Sequence, residues 1–150
     1  MRLVVQRVTR ASVREGADLL GEIGLGAVVL AGVGTADTPE IVDRVADKLI
    51  GMRYFEDDEG RTNRSIADVA GSLLVVSQFT LYADVRRGRR PGFTGAAAPD
   101  TAVPLLDRLV ERLRGAGLRV ETGRFGAHMA VDLVNDGPFT LVLDSDRDLV

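Results

Sequence analysis

Ser77, Gln78 and Thr80 place two hydroxyls and an amide within four residues, at the end of an apolar run that opens into a long polar loop. A strand exit beside a loop is a common place for a site, because the sheet holds side chains rigidly and the loop leaves room for a ligand. These groups suit the placement of an ester: hydroxyls orient the substrate, and backbone N–H groups bind an oxyanion. Spacing alone favours the plainer reading, a strand end with hydrogen-bonded Ser and Thr. Asn135-Asp136-Gly137-Pro138 lies between two strand patterns and reads locally as a turn. Only about 5–6% of X-Pro bonds are cis, so the local expectation is a trans turn. Arg86, Arg87, Arg89 and Arg90 put four guanidinium groups in five residues. Their planar forks match phosphate, and a solvated surface loop fits the composition equally well. Arg119 and Arg124 would extend this patch if their strand lies beside it.

Other hydrolytic machinery is scarce. With no cysteine, disulfides, thiol nucleophiles and cysteine-held zinc are excluded. His128 is the single histidine, which excludes HExxH-type metal sites and leaves any Ser-His-Asp triad only one route. No GxSxG motif accompanies it. Gly32 and Gly34 in AGVGT lack the third glycine of a dinucleotide fingerprint. The acidic run Glu56 to Gly60 reads as a solvated hairpin tip. An enzyme built from this inventory acts on a labile bond, borrows a group from its substrate, or relies on backbone donors.

The elements that position these residues follow from periodicity. Leu3 to Val13 alternates as a strand, Glu15 to Asp18 turns, and Leu19 to Ile23 returns. Ala27 to Val33 is apolar without alternation, a strand buried on both faces. Thr38 caps a helix with Pro39 at its first position, and Ile41, Val42, Val45, Ala46, Leu49 and Ile50 form its buried stripe. Gly51 stops it, and Met52 to Phe55 is extended. Ser72 to Phe79 is a buried strand, followed by a loop from Ala83 to about Asp100. A second helix covers Thr101 to Arg114, with Pro104 near its first turn. Leu118 to Thr122, Met129 to Val134 and Phe139 to Leu143 are three closing strands. The order predicts one mixed α/β domain over residues 1–150 with two main helices.

Composition agrees: 150 residues suit one domain, and 45% hydrophobic with 27% charged residues is ordinary for a globular chain. The net charge of -3 excludes a globally basic nucleic-acid binder, though a local patch can still bind RNA. No apolar run reaches membrane-spanning length, and MRLVVQRVTR lacks the features of a signal peptide, so a cytoplasmic location is expected.

Taken together, QRVTRASV, GEIGLG, MRYFEDDEG, SLLVVSQFTLYADVRRGRRPGF, ETGRFGAHMAVDLVNDGPFT and LDS resemble the D-aminoacyl-tRNA deacylase family in order and spacing over essentially the whole chain. The pairing of SQFTLY with NDGPFT is the specific feature. The resemblance implies a homodimer of compact domains in β/β/α layers, with the active site at the dimer interface. It implies that Ser77, Gln78, Phe79 and Thr80 line the catalytic pocket. Gly137 and Pro138 match a Gly-cisPro motif inserted into the partner's site, Met129 a pocket residue, and Arg7 a residue that holds the Gly-Pro element. The implied substrates are the 3′ ends of D-aminoacyl-tRNA and of glycyl-tRNA. No metal and no cofactor is implied, and neither a membrane nor DNA is expected as a partner. Gly92, Gly95, His128 and Phe139 depart from the family's usual residues.

The chemistry expected is ester hydrolysis in which the Phe79 and Thr80 N–H groups hold the carbonyl oxygen and the tRNA's 2′-hydroxyl helps activate water. Thr80 Oγ1 as a nucleophile is the alternative, and it lacks an evident base. A non-enzymatic RNA-binding module and a hydrolase of small D-amino-acid esters are the rival functions.

Overall fold

The fold, a computed structural model describing residues 1–149, is assembled on its first strand. β1 (Arg2–Glu15) pairs antiparallel through its first half with β3 (Gly26–Gly32) and through its second half with β2 (Asp18–Ile23). Along nearly its whole length it also pairs antiparallel with β8 (Ala130–Asp144). Beyond β3 the sheet continues in parallel through β6 (Ser72–Ser77) to β7 (Arg119–Thr122), giving six strands of mixed direction. The sheet curls until it is nearly a barrel. A Cβ added to Gly21 on β2 would stand 3.0 Å from the Thr122 carbonyl oxygen and 3.2 Å from Leu74, so only glycine lets β2 approach β6 and β7 this closely.

Curling covers both faces of the central strands. Val8, Val13, Ile23, Val28, Leu74 and Val76 fill the inside of the curl. Leu3, Val5, Val29, Leu73 and Val75 face outward, under two helices. Successive side chains on a strand point to opposite faces, so β3 and β6 read as unbroken apolar runs because both faces are covered.

The covering helices are α1 (Pro39–Gly51) and α2 (Pro99–Gly115). Thr38 Oγ1 accepts the Ile41 N–H and so satisfies one free donor at the start of α1. Val42, Val45, Ala46 and Leu49 meet Ala102, Leu105, Leu109 and Leu113 over the sheet. A fully buried leucine such as Leu49 or Leu109 contributes about 1.5–3 kcal/mol through removal of its surface from water. Arg108 forms a two-pronged pair with Asp43 at 2.8 Å, and Arg112 reaches Asp47, both on the solvent side of the helix pair.

The acidic run is the hairpin tip expected from the sequence: β4 (Arg53–Glu56) pairs across it with β5 (Thr62–Ser65), a strand whose polar TNRS carries no strand pattern. Three expectations from the sequence are corrected. β6 ends at Ser77 rather than Phe79, and Phe79–Tyr82 is a 3-10 turn. α2 begins at Pro99, two residues early, which places Pro104 in its second turn. The two strands expected on either side of Pro138 are one strand, β8, and NDGPF does not reverse the chain. A short helix, α3 (Ser145–Asp148), follows β8.

Candidate functional site

The Gly137–Pro138 segment is an outward loop within β8. Gln6 on β1 pairs with Thr140 and Val8 with Asn135, so residues 136–139 stand opposite the single residue Arg7. The chain leaves the ladder and rejoins it, with the Gly137–Pro138 peptide bond cis and Gly137 at φ +133°. That φ favours glycine, and a Cβ there would lie 3.0 Å from the Phe139 nitrogen and 3.1 Å from Arg7 Nη2.

Arg7 is buried, with 6% of its side chain exposed, and its guanidinium is shared among several partners. Nε donates to the Asp136 carbonyl at 3.1 Å and Nη1 to the Tyr54 carbonyl at 2.9 Å. The Asp136 and Glu56 carboxylates lie 3.4 and 3.7 Å away and balance the buried charge. The guanidinium also stacks on the Phe139 ring, 4.8 Å from its centroid. Asn135 Oδ1 accepts the Phe139 N–H at 2.7 Å, and Asn135 Nδ2 donates to Thr140 Oγ1 at 2.9 Å. The Gly137 and Pro138 main chain is thereby fixed from both sides while remaining exposed itself.

The second segment is built differently. Gln78 N–H donates to the Ala31 carbonyl at 2.8 Å, the last bond between β6 and β3. The chain then folds back over Gly32 and Gly34. A Cβ on Gly32 would meet the Gln78 carbonyl oxygen at 2.9 Å, and one on Gly34 the Tyr82 hydroxyl at 2.6 Å and its ring at 2.7 Å. A side chain at either glycine would push the turn away, so the two glycines admit it. Arg2 stacks on the Tyr82 ring at 4.6 Å and donates to the Leu81 carbonyl at 3.1 Å. Burial and the nearby Asp37 carboxylate push the Tyr82 phenol above its ordinary value.

Phe79 and Thr80 are the first two residues of this turn and are exposed. The first N–H groups of a helical turn have no partner within it, so these two are left as donors by the turn itself. Thr80 Oγ1 accepts from Gln78 Nε2, and among the described residues no His, Asp, Glu or Lys side chain bonds to it. Beside Ser77 lies a cavity of about 260 Å³ between the sheet and α2, lined by Ser77, Gly123 and Phe125 on one side and Val110, Glu111 and Arg114 on the other. Met129 stands next to it: its Sδ accepts the Arg124 N–H at 3.3 Å and sits where a side chain on Gly123 would otherwise be.

The sequence-predicted residues therefore form two groups. Ser77 to Thr80 and Met129 share one end of the sheet, whereas Arg7, Gly137 and Pro138 lie elsewhere. Arg7 pairs with Ala27, Ala27 pairs with Leu73, and Ser77 lies four residues beyond Leu73. From the Gly137–Pro138 loop on β8, beside Arg7, the path to Ser77 crosses three strand spacings and runs four residues along, each on the order of 14 Å. One chain does not bring the two groups together.

In the arginine loop, Arg86 is held in a two-pronged pair by Asp84 at 2.7 and 2.9 Å, and this pairing holds the Asp84 carboxyl well below the ordinary range. Arg87, Arg89 and Arg90 are exposed, and among the described residues they form no salt bridge. Arg119 and Arg124 do not extend the patch as free cations, because Glu121 and Glu15 pair with them. His128 is exposed in the loop after β7. Among the described residues no three His, Asp or Glu side chains gather as a metal-ligand set would, and no helix is long and apolar enough to cross a membrane. Tyr54 and Glu56 went unseen as supports of Arg7. Tyr54 acts through its carbonyl, which every residue has, and so leaves no mark in a sequence.

The fold is shared with known structures. It superposes with a TM-score of 0.80 on "Structural Analysis of a probable eukaryotic D-amino acid tRNA deacylase", 20% identical over 95% of this chain and 97% of that one, a likeness of fold alone. It superposes at 0.90 on a structure described as "c-Myc DNA Unwinding Element Binding Protein", 38% identical over 96% of this chain and 98% of that one. Residues 4–144 match the family model described as D-Tyr-tRNA(Tyr) deacylase, and the chain belongs to that family. Relatives named D-aminoacyl-tRNA deacylase include one from Symbiobacterium thermophilum, 58% identical over 98% of this chain and 97% of the relative. Another, from Thermotoga petrophila, is 54% identical over 98% and 99%.

Proposed function

We propose that this chain hydrolyses the ester of D-aminoacyl-tRNA, releasing the D-amino acid and free tRNA, and that it works as a homodimer. The observation that carries the reading is the loop in β8, where Arg7 and Asn135 fix an exposed Gly137–Pro138 main chain. A rigid backbone edge without side chains is suited to testing the shape of a small group. In this reading Gly137 and Pro138 of one copy enter the site of the other beside Ser77 to Thr80. The separation of the two groups within one chain supports this arrangement.

Facing the substrate's α-carbon, the Gly137 and Pro138 main chain collides with an L side chain and leaves space for a D side chain. Selection by a clash makes the identity of the D side chain unimportant. Glycine has nothing to clash, so glycyl-tRNA is a substrate too. The Phe79 and Thr80 N–H groups hold the ester carbonyl oxygen, and loss of one such donor elsewhere costs about 2.7–4 kcal/mol. The 2′-hydroxyl of the terminal ribose activates water, and Ser77 and Gln78 line the pocket with Met129. The cavity beside Ser77 receives the terminal nucleoside, and Arg87, Arg89 and Arg90, with Arg86 anchored to Asp84, lie along the phosphates.

One assay tests the reading: purified protein with D-tyrosyl-tRNA, L-tyrosyl-tRNA and a free D-tyrosine ester. Release from the D-aminoacyl-tRNA alone is expected. Equal cleavage of the L form sinks the chiral reading. Cleavage of the free ester at the same rate makes the protein a small-ester hydrolase, and binding without cleavage makes it an RNA-binding module.

A further inference from the structure

The chain has five phenylalanines, two tyrosines and no tryptophan. Phe55 and Tyr54 are buried, and Phe139 and Tyr82 are partly covered. The three remaining rings are exposed: Phe79 at 55%, Phe93 at 37% and Phe125 at 41%. Phe125 lines the cavity with Ser77, Phe79 follows Ser77 by two residues, and Phe93 packs edge-on against Phe79 with centroids 5.1 Å apart and planes at 67°. The three most exposed rings thus lie at one end of the molecule, around the strand exit. Packing within one chain leaves these three rings uncovered together, whereas Tyr54 and Phe55 are buried.

The arginine loop begins at the same place. Asp84 and Gly92 exchange both backbone hydrogen bonds, at 2.7 and 2.9 Å, and so close the loop's neck; Phe93 is the next residue. The exposed cations Arg87, Arg89 and Arg90 therefore project from directly beside the Phe79–Phe93 pair. Rings that accept a base by stacking, set next to guanidinium groups that accept phosphate, form the usual surface for unpaired nucleic acid. In a chain of net charge -3, Arg87, Arg89 and Arg90 stand within four residues here, which gives the patch charge complementarity to a polyanion.

We propose that Phe93, braced edge-to-face against Phe79, is a stacking platform for the unpaired bases that precede the acylated terminal nucleoside of the tRNA 3′ end. The proposal rests on the deacylase reading and adds to it a specificity residue outside the ester site. Stacking tolerates any base, so Phe93 recognises single-stranded RNA as a class, and the arginine loop tracks the backbone next to it. Phe93 touches no reacting atom. It acts on how the polymer is held and leaves the ester chemistry to Phe79 and Thr80.

The test compares D-tyrosyl-tRNA with D-tyrosyl-adenosine, which has the ester and terminal nucleoside but no preceding bases. Phe93→Leu keeps an apolar side chain and removes the π face; Phe93→Tyr keeps the face. Phe93→Leu is expected to raise KM for the tRNA ester roughly five- to a hundredfold, with kcat and the adenosine ester unaffected, and Phe93→Tyr to restore KM. An equal loss on both esters means that Phe93 merely positions Phe79, and overturns the proposal. So does a loss that tracks a change in oligomeric state, which would make the rings a contact between copies. No change on either ester also overturns it. If the wild type cleaves neither ester, the deacylase reading fails separately. Binding of a short single-stranded oligoribonucleotide, weakened by Phe93→Leu and restored by Phe93→Tyr, then still decides the platform.

Discussion

The loop around Gly137–Pro138 and the turn from Ser77 to Tyr82 are both exposed, but they are held in opposite ways. The first is fastened from behind by a buried guanidinium, two carboxylates and an asparagine, so its main chain has one position. The second rests on the bare backbone of Gly32 and Gly34 and exposes Phe79 and Thr80 at the start of a helical turn. The difference suits two tasks. A steric test of handedness needs an edge that does not yield, whereas a cradle for an ester needs donors left free for the substrate. On the proposed reading, a rigid selector and an open reaction site on one polypeptide can be tuned separately.

That contrast breaks most severely at Gly137. Gly137→Ala places a Cβ against the Phe139 nitrogen and Arg7 at a φ that alanine rarely adopts. It is expected to cost about 1–3 kcal/mol of stability, read as a lowered melting temperature. A displaced edge should also lower kcat/KM on D-aminoacyl-tRNA by about a hundredfold. Unchanged kinetics would show that the loop does not touch the substrate.

Arg7→Lys sharpens the comparison next. A lysine cannot serve the Asp136 and Tyr54 carbonyls together as the arginine fork does. One buried acceptor left unpaired costs about 1–3 kcal/mol, measurable by denaturant titration. Release of the loop should show as increased cleavage of L-aminoacyl-tRNA relative to the D form. A destabilised enzyme that kept its full D preference would separate Arg7 from selection.

The smallest effect is expected at Thr80. If backbone donors carry the reaction, Thr80→Ala removes only a hydroxyl engaged by Gln78 and should lower kcat by less than about tenfold, or under about 1.4 kcal/mol. Complete loss of turnover with tRNA binding intact would return the role of nucleophile to the side chain.

Legibility differed between the same two regions. The helix capped by Thr38, the apolar strands β3 and β6 and the hairpin at Gly16 follow from local patterns, because each depends on neighbours a few residues away. The single strand β8 was hidden, since Asn-Asp-Gly-Pro carries every mark of a reversal and only pairing of both flanks to β1 shows that the chain continues. The end of β6 was hidden for a similar reason: the 3-10 turn that follows it rests on Gly32 and Gly34, far away in sequence. At the site, SQFTLY and NDGPFT were visible as a pair by family resemblance, while their spacing pointed to a strand end and a turn.

The sequence by itself determined the inventory. No cysteine and one histidine leave hydroxyls, arginines and backbone, and two full apolar faces on β3 and β6 require layers on both sides. Tertiary structure decided the geometry that gives the inventory meaning. It placed Arg7 behind the Gly-Pro loop, tied Arg86 to Asp84 while leaving three arginines exposed, and set Gly137–Pro138 and Ser77 several strands apart. The physical reason is that composition and periodicity are local properties, whereas the partner of a carbonyl or a charge is chosen by strand register across the whole sheet.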